Sequence, residues 1–192
     1  MRVVGGKARG MTIAVPSATD MRPTTDRVRG AMFSMLEARD AVEGVRVLDL
    51  YAGSGALGIE ALSRGAEHAD LVERNSCACA AIRKNLATTR LEDLATVVAS
   101  PVLKALDTMV DPYGLVFMDP PYADPSAIAD AVDRLLARKL IDEGSVLVIE
   151  QSSRSRRDFA RAGALRTEQE KTYGDTAVSV YVVDSTYEET GR

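Results

Sequence analysis

Asp119-Pro120-Pro121-Tyr122 stands directly after the apolar run Leu115-Val116-Phe117-Met118. Neither proline has an N–H to donate and each fixes φ, so a sheet ladder cannot continue through them. A buried strand therefore stops abruptly, with a carboxylate just past its end and an aromatic ring three residues on. That sets an acceptor and a stacking platform on stiff backbone at the carboxyl edge of a sheet, where open α/β sheets hold their ligands. A bland turn is the alternative, since Asp-Pro commonly opens a loop, and nearby Asp111-Pro112-Tyr113 reads as just that.

The second group with chemistry in it is Asp49-Leu50-Tyr51-Ala52-Gly53-Ser54-Gly55-Ala56-Leu57-Gly58. Gly53, Gly55 and Gly58 satisfy G-x-G-x-x-G, which allows tight turning and close backbone approach to a ligand. Glu73 lies 20 residues after Gly53, the spacing at which an acid takes ribose hydroxyls. Together they indicate a nucleoside of adenosine type without specifying a dinucleotide. Asp49 narrows the choice. An acid at the end of the preceding strand repels a pyrophosphate but suits an ammonium or sulfonium cation, and S-adenosylmethionine carries both without phosphate. The alternative is that Asp49 caps the helix or is otherwise structural.

The elements that must position these groups follow from periodicity and turn residues. From residue 45 the pattern is strand, loop, helix, repeated: strands over 45–50, 69–73, 95–99, 115–118 and 145–149, helices over 56–63, 77–88, 102–110 and 126–139. Such alternation implies a parallel sheet with right-handed crossovers. Two further strands over 165–173 and 177–183, joined near Gly174-Asp175, can only pair antiparallel. A short basic helix is expected over 154–162. At the amino end, Val3-Val4 and residues 11–15 flank a Gly/Lys/Arg stretch and read as a β-hairpin with Lys7 and Arg9 near its tip. A helix follows, N-capped by Thr24 or Thr25. Its apolar positions Val28, Ala31, Met32, Met35 and Leu36 form one buried stripe, which leaves Arg27 and Arg29 on other faces.

Composition sets limits. The 192 residues, 46% hydrophobic and 27% charged, suit one globular domain with a small appendage. No apolar run reaches a membrane span, and the start, Met1-Arg2-Val3-Val4-Gly5-Gly6-Lys7, has no secretory pattern, so a cytoplasmic protein is expected. Cys77 and Cys79, two apart on a helix, favour neither a disulfide nor a chelate; His68, the one histidine, reads as structural. The net charge of −4 conceals an asymmetry: residues 1–30 carry Arg2, Lys7, Arg9, Arg22, Arg27 and Arg29 against Asp20 and Asp26. A basic segment on an otherwise acidic chain points to a local polyanion contact; a solvated terminus is the alternative.

The combination of residues 49–58, Glu73 and Asp119–Tyr122 resembles the class I S-adenosylmethionine-dependent methyltransferases that modify exocyclic amines. More narrowly, residues 2 to about 183 are similar to the RsmD family. The specific part of the match is Arg2-Val3-Val4-Gly5-Gly6-Lys7 and Arg22-Pro23-Thr24-Thr25-Asp26-Arg27-Val28-Arg29, joined by residues 48–62 and Asp119–Tyr122. The resemblance implies a Rossmann-like α/β sheet of seven mostly parallel strands, closed by an antiparallel hairpin. It divides the chain into a basic extension (1–40), a methyltransferase domain (41–184) and a polar tail (185–192). It implies methylation of the N2 amine of a guanine in 16S rRNA, guanine 966, with the small ribosomal subunit or its assembly intermediate as partner, and neither a metal nor a membrane. The implied catalytic residues are Asp119, Pro120, Pro121 and Tyr122. Cofactor contacts are implied for Asp49, Tyr51, Ala52, Gly53, Ser54, Gly55, Glu73, Arg74, Ser100 and Asp119, and RNA contacts for Arg2, Lys7, Arg9, Arg22, Thr25, Arg27 and Arg29. The family pattern often has Asp or Asn after the third strand to read adenine; here Ala99-Ser100-Pro101 offers only the Ser100 hydroxyl or backbone. Open rivals are a DNA adenine or protein glutamine methyltransferase, an NAD-dependent oxidoreductase, and an RNA-binding protein without activity.

Overall fold

The computed structural model describes residues 1–15, 25–120, 126–161 and 163–186. Parallel strands β1 (Arg46–Leu50), β2 (His68–Glu73), β3 (Ala95–Ala99), β4 (Leu115–Met118) and β5 (Val146–Ser152) are joined to antiparallel β6 (Leu165–Tyr173) and β7 (Thr176–Val183). The sheet order is β3-β2-β1-β4-β5-β7-β6, the seven-stranded arrangement with a closing hairpin that the alternation and the Gly174-Asp175 turn lead one to expect. Side chains alternate across the pleat. Val47, Leu71, Phe117, Val148 and Val180 share one face with α1 (Asp26–Glu37), α2 (Ala56–Ser63) and α3 (Ser76–Thr89). Leu48, Leu50, Val116 and Leu147 meet α4 (Val102–Leu106) and α5 (Ala127–Ala137) on the other. Among the described residues, no helix is long and apolar enough to cross a membrane.

Three expectations change. The helix over 102–110 ends at Leu106, and Val110 is 78% exposed. No helix forms over the described part of 154–162. Instead β5 continues to Ser152, and the Gln151 side chain grips Arg157 by both its N–H and its carbonyl at 3.0 Å, holding that stretch as a loop. Tyr113, read as part of a bland turn, is buried. Its hydroxyl donates to Asp70 at 2.7 Å, and Arg46, which binds Asp70 and Asp111, lies over its ring. Burial and the Asp70 carboxylate hold the Tyr113 phenol well above its ordinary range.

The amino-terminal segment pairs with itself through Val3 N–H to Met11 O and Ile13 N–H to Met1 O, both 3.0 Å. It makes a single isolated bridge, Arg2–Thr12, rather than a full ladder. What holds it is α2. Glu60 is completely buried and accepts from the Val4 and Gly5 N–H groups at 2.8 and 2.7 Å. Ser63 accepts from Lys7 N–H through its carbonyl and from Ala8 N–H through its hydroxyl. The fit leaves no room for side chains: a Cβ on Gly6, at φ +72°, would come within 1.8 Å of the Ser63 carbonyl oxygen.

Arg29 is also drawn into this joint, a correction to its placement on an exposed, RNA-facing side. Phe33, left out of the expected stripe, is fully buried and packs on Phe117 with ring centroids 5.5 Å apart. Arg29 precedes it by four residues, so it lies on the same helix face. Its guanidinium is buried against Glu60 and Asp26 and donates to the Arg2 carbonyl. Arg64 adds a second cation to Glu60 at 2.8 Å. Removing one partner of a buried ion pair strands the other charge. Glu60→Ala is therefore expected to cost about 3–5 kcal/mol of stability, measured as a fall in urea midpoint at unchanged m; a loss below about 1 kcal/mol would refute the joint's importance.

Candidate active site

At the carboxyl edge the alternation of side chains and the strand register bring acids together. Leu71, Asp49, Phe117 and Val148 are lateral partners across β2, β1, β4 and β5. Asp49 lies in that row, and Glu73, Asp119 and Glu150 follow two residues along their own strands, hence on the same face. Four carboxyl groups from four adjacent strands thus line one side of the edge. Asp49, Glu73 and Glu150 are buried, whereas Asp119 is partly exposed.

Two of these acids shape the glycine loop. The chain leaves β1 through Tyr51, Gly53 and Gly55, all at positive φ (+66°, +57° and +77°). Glycine takes that conformation without strain, while Tyr51 takes it at a steric cost. The turn aims the Tyr51 hydroxyl at the Ala127 carbonyl, 3.4 Å away at the start of α5. Asp49 accepts from Gly58 N–H in the first turn of α2 at 2.9 Å, so the capping alternative is realised. Glu73 accepts from Gly53 N–H at 3.0 Å and Asn75 N–H at 2.7 Å. Two further loop donors are engaged, Ala52 N–H by the Val72 carbonyl of β2 and Gly55 N–H by the Ala52 carbonyl. A dinucleotide fold offers such donors to a pyrophosphate. Here the helix N-terminus already holds a carboxylate, and four acids line the edge.

Burial pushes the Asp49 carboxyl up to about 7. The Gly58 N–H opposes that shift and the Glu73 charge adds to it. Burial, then the neighbouring Glu150 and Asp49, raise Asp119 well above the usual carboxylate range. Such a cluster gains from a cation placed among it. This donor set fits S-adenosylmethionine, whose amino and sulfonium groups are cationic. Asp49 would hold the charge, and Glu73 the ribose hydroxyls, its carboxylate retaining acceptor capacity beyond the two backbone bonds.

The other expected positions fall as follows. Ala52, Gly53, Ser54 and Gly55 are buried in the loop, and Pro120 is buried behind Asp119. Arg74 is exposed just after β2. Ser100 sits beside Glu73, whose carbonyl accepts its N–H at 3.2 Å. Pro121, Tyr122 and Arg22 lie outside the described residues. Arg2, Lys7, Arg9, Thr25 and Arg27 are exposed, and Thr25 caps α1 by accepting from Val28 N–H at 3.3 Å; buried Arg29 is the exception. Two residues went unread in the sequence. Glu150 ends an apolar run and would have been found by extending strand β5. Asn85 carries no such signal: from inside α3 it donates to the Ser54 and Ala14 carbonyls and accepts from Ala14 N–H, all at 2.9 Å.

Comparison with known proteins agrees with this geometry. The family described as "Conserved hypothetical protein 95" matches residues 1–182. The chain is 34% identical over 186 residues to the Bacillus subtilis (strain 168) protein named "Putative rRNA methyltransferase YlbH", covering 94% of this chain and 98% of that one. It is 42% identical over 122 residues to "Ribosomal RNA small subunit methyltransferase D" of Escherichia coli (strain K12), covering 64% of this chain and 60% of that protein. Among solved structures, "Putative methyltransferase yhhF from Escherichia coli" superposes with a TM-score of 0.86 at 31% identity, covering 97% of this chain and 99% of the other. The matched span takes in the amino-terminal segment, the glycine loop, the acid row and the closing hairpin alike, and on that evidence the chain belongs to the conserved hypothetical protein 95 family, the RsmD-like rRNA methyltransferases.

Proposed function

We propose that this protein transfers a methyl group from S-adenosylmethionine to the exocyclic N2 amine of a guanine in 16S rRNA, guanine 966 by family resemblance, in the cytoplasm. The observation that carries the reading is the row of carboxyl groups across β2, β1, β4 and β5, one of which fills the helix N-terminus that a phosphate would need. The cofactor supplies an electrophilic methyl on a sulfonium. Asp119 and the Pro120 carbonyl accept the two amine N–H groups, which orients the nitrogen lone pair toward that methyl, and Tyr122 stacks on the base. Orientation and local electrostatics supply the catalysis, with no covalent enzyme intermediate. Residues 1–40 act as the RNA-contacting extension through Arg2, Lys7, Arg9, Arg22, Thr25 and Arg27. The tip that carries Lys7 and Arg9 docks at the far end of α2, about 12 Å from the glycine loop. A free nucleoside cannot span that interval, whereas a structured RNA can.

The direct test is tritiated-methyl transfer to small subunits from a strain lacking the endogenous enzyme, followed by mass mapping of the modified nucleotide. Asp119→Ala is expected to retain cofactor binding and lose at least about 10²-fold in transfer. Glu73→Ala is expected to weaken cofactor binding about tenfold or more. Full transfer by the Asp119 variant would sink the amine-positioning role.

Charge gives a second check. Because Asp49 ionises near 7, raising the pH through that value creates negative charge where a cation binds. S-adenosylmethionine affinity should tighten between pH 5.5 and 7.5 by up to about tenfold per pH unit, levelling above 7. Asp49→Asn should flatten the curve. Calorimetric titration with NAD in parallel separates the oxidoreductase reading, since an anionic ligand would show the opposite trend.

Replacing Lys7 and Arg9 together with glutamine should lower RNA affinity and reduce the slope of log K against log salt by about 1.5. An unchanged slope would remove the hairpin tip from the interface.

A further inference from the structure

Glu150 is 5% exposed. Met118 and Ile149 are register partners on adjacent parallel strands, so Asp119 and Glu150 follow them side by side, at a strand spacing of about 4.8 Å. They share a pleat face with Phe117 and Val148, and the charge on Glu150 acts directly on Asp119. Among the described residues, the ionisable groups that share the pair's face on the neighbouring strands β1 and β2 are acids. Asp49 comes from β1, and Glu73 from β2, held by its two backbone donors. From β7 comes apolar Val178, the register partner of Glu150; beyond it on β6 stands exposed Lys171. From the helices over this face, Arg29 and Arg64 are engaged by Glu60. Two like charges so close in a buried setting do not both ionise in the ordinary range.

We propose that Asp119 and Glu150 form a carboxyl pair sharing one proton, so that a single negative charge faces the target amine, and that this charge takes up the proton shed by the methylated nitrogen. The first half concerns the free protein; the second rests on the amine-methylation reading above. As the reaction proceeds, the nitrogen lone pair forms the new N–C bond while the C–S bond breaks and leaves its electron pair on sulfur. The sulfonium charge is thereby lost and the nitrogen becomes cationic. One of its protons passes to the Asp119 carboxylate, which makes the pair neutral. The pair returns that proton to water as product leaves and is ready for another cycle. Glu150 acts through Asp119 and is a positioning residue: its carboxyl group shares the pair's one proton, which keeps a second charge off the site.

The test titrates ¹³C-carboxyl-labelled aspartates by NMR in the free protein, with Asp119 assigned by its absence in Asp119→Asn. In the unaltered protein Asp119 should titrate in two steps, centred above the ordinary carboxylate range. In Glu150→Gln, which preserves shape and a hydrogen-bond donor, it should titrate in one step at least about one pH unit lower. Glu150→Asp should restore the higher midpoint. The acid limb of kcat should move down in pH with the NMR midpoint in Glu150→Gln. Equal Asp119 midpoints in the unaltered protein and Glu150→Gln would overturn the pair. A midpoint that moves while the acid limb stays would overturn the proton uptake. Absence of guanine methylation by the unaltered protein would fell the functional reading and the proton uptake with it, and leave the pair to the NMR result.

Discussion

The hydrogen bond from Gly58 N–H to the Asp49 carboxylate joins the strand that starts the site to the helix that walls it. A helix N-terminus presents unsatisfied donors and a partial positive charge, and it attracts whatever anion is nearest. In this chain that anion is part of the protein. Gly58 has no Cβ to hold the partners apart; one would meet Leu71 at 2.9 Å and the Asp49 carboxylate at 3.3 Å. Once Asp49 occupies the helix end, the loop between them must turn back on itself, and the positive φ angles of Tyr51, Gly53 and Gly55 accomplish the turn. The polarity of the whole edge follows. Loop donors point to Asp49 and Glu73, and an edge lined with carboxyl groups favours a ligand that carries positive charge.

Most of the sheet was legible because its signals are local. Each parallel strand is a short apolar run bounded by turn residues, and β3 and β4 were bounded to the residue at 95–99 and 115–118. The Gly174-Asp175 turn left no topology for β6 and β7 but an antiparallel pair. The acids Asp49, Glu73 and Asp119 were legible for a similar reason, since each ends an apolar run or sits at a fixed spacing from a glycine. Glu150 escaped because β5 was stopped at Ile149, one residue before the position that pairs it with Asp119. What could not be read were partnerships across long sequence separations. Arg29 looked like one of six basic side chains aimed at a polyanion, and only the fold brings Glu60 to it, 31 residues away. Tyr113 looked like turn filler until Asp70 was placed beneath its hydroxyl. Charge asymmetry along a sequence counts side chains; it does not say which of them the core has already claimed.

The two halves of the molecule handle charge in opposite ways. Around Glu60 every charge is answered: two arginines and two backbone N–H groups converge on one carboxylate, and the result is a joint. Along the carboxyl edge four carboxyl groups gather on one face of the sheet, Asp49 and Glu73 bonded to backbone donors, and the result is a candidate site. The joint's carboxylate and those of the candidate site differ in their company rather than in their burial, for Glu60 and Asp49 are both buried.

Asn85 crosses the boundary between these regions. Its amide donates both to Ala14, in the amino-terminal segment, and to Ser54, in the glycine loop. Together with Glu60 and Ser63 it makes the underside of the amino-terminal segment a product of α2 and α3 as much as of its own sequence. The segment is consequently not a cassette. Exchanging it between relatives requires that the facing sides of both helices travel with it.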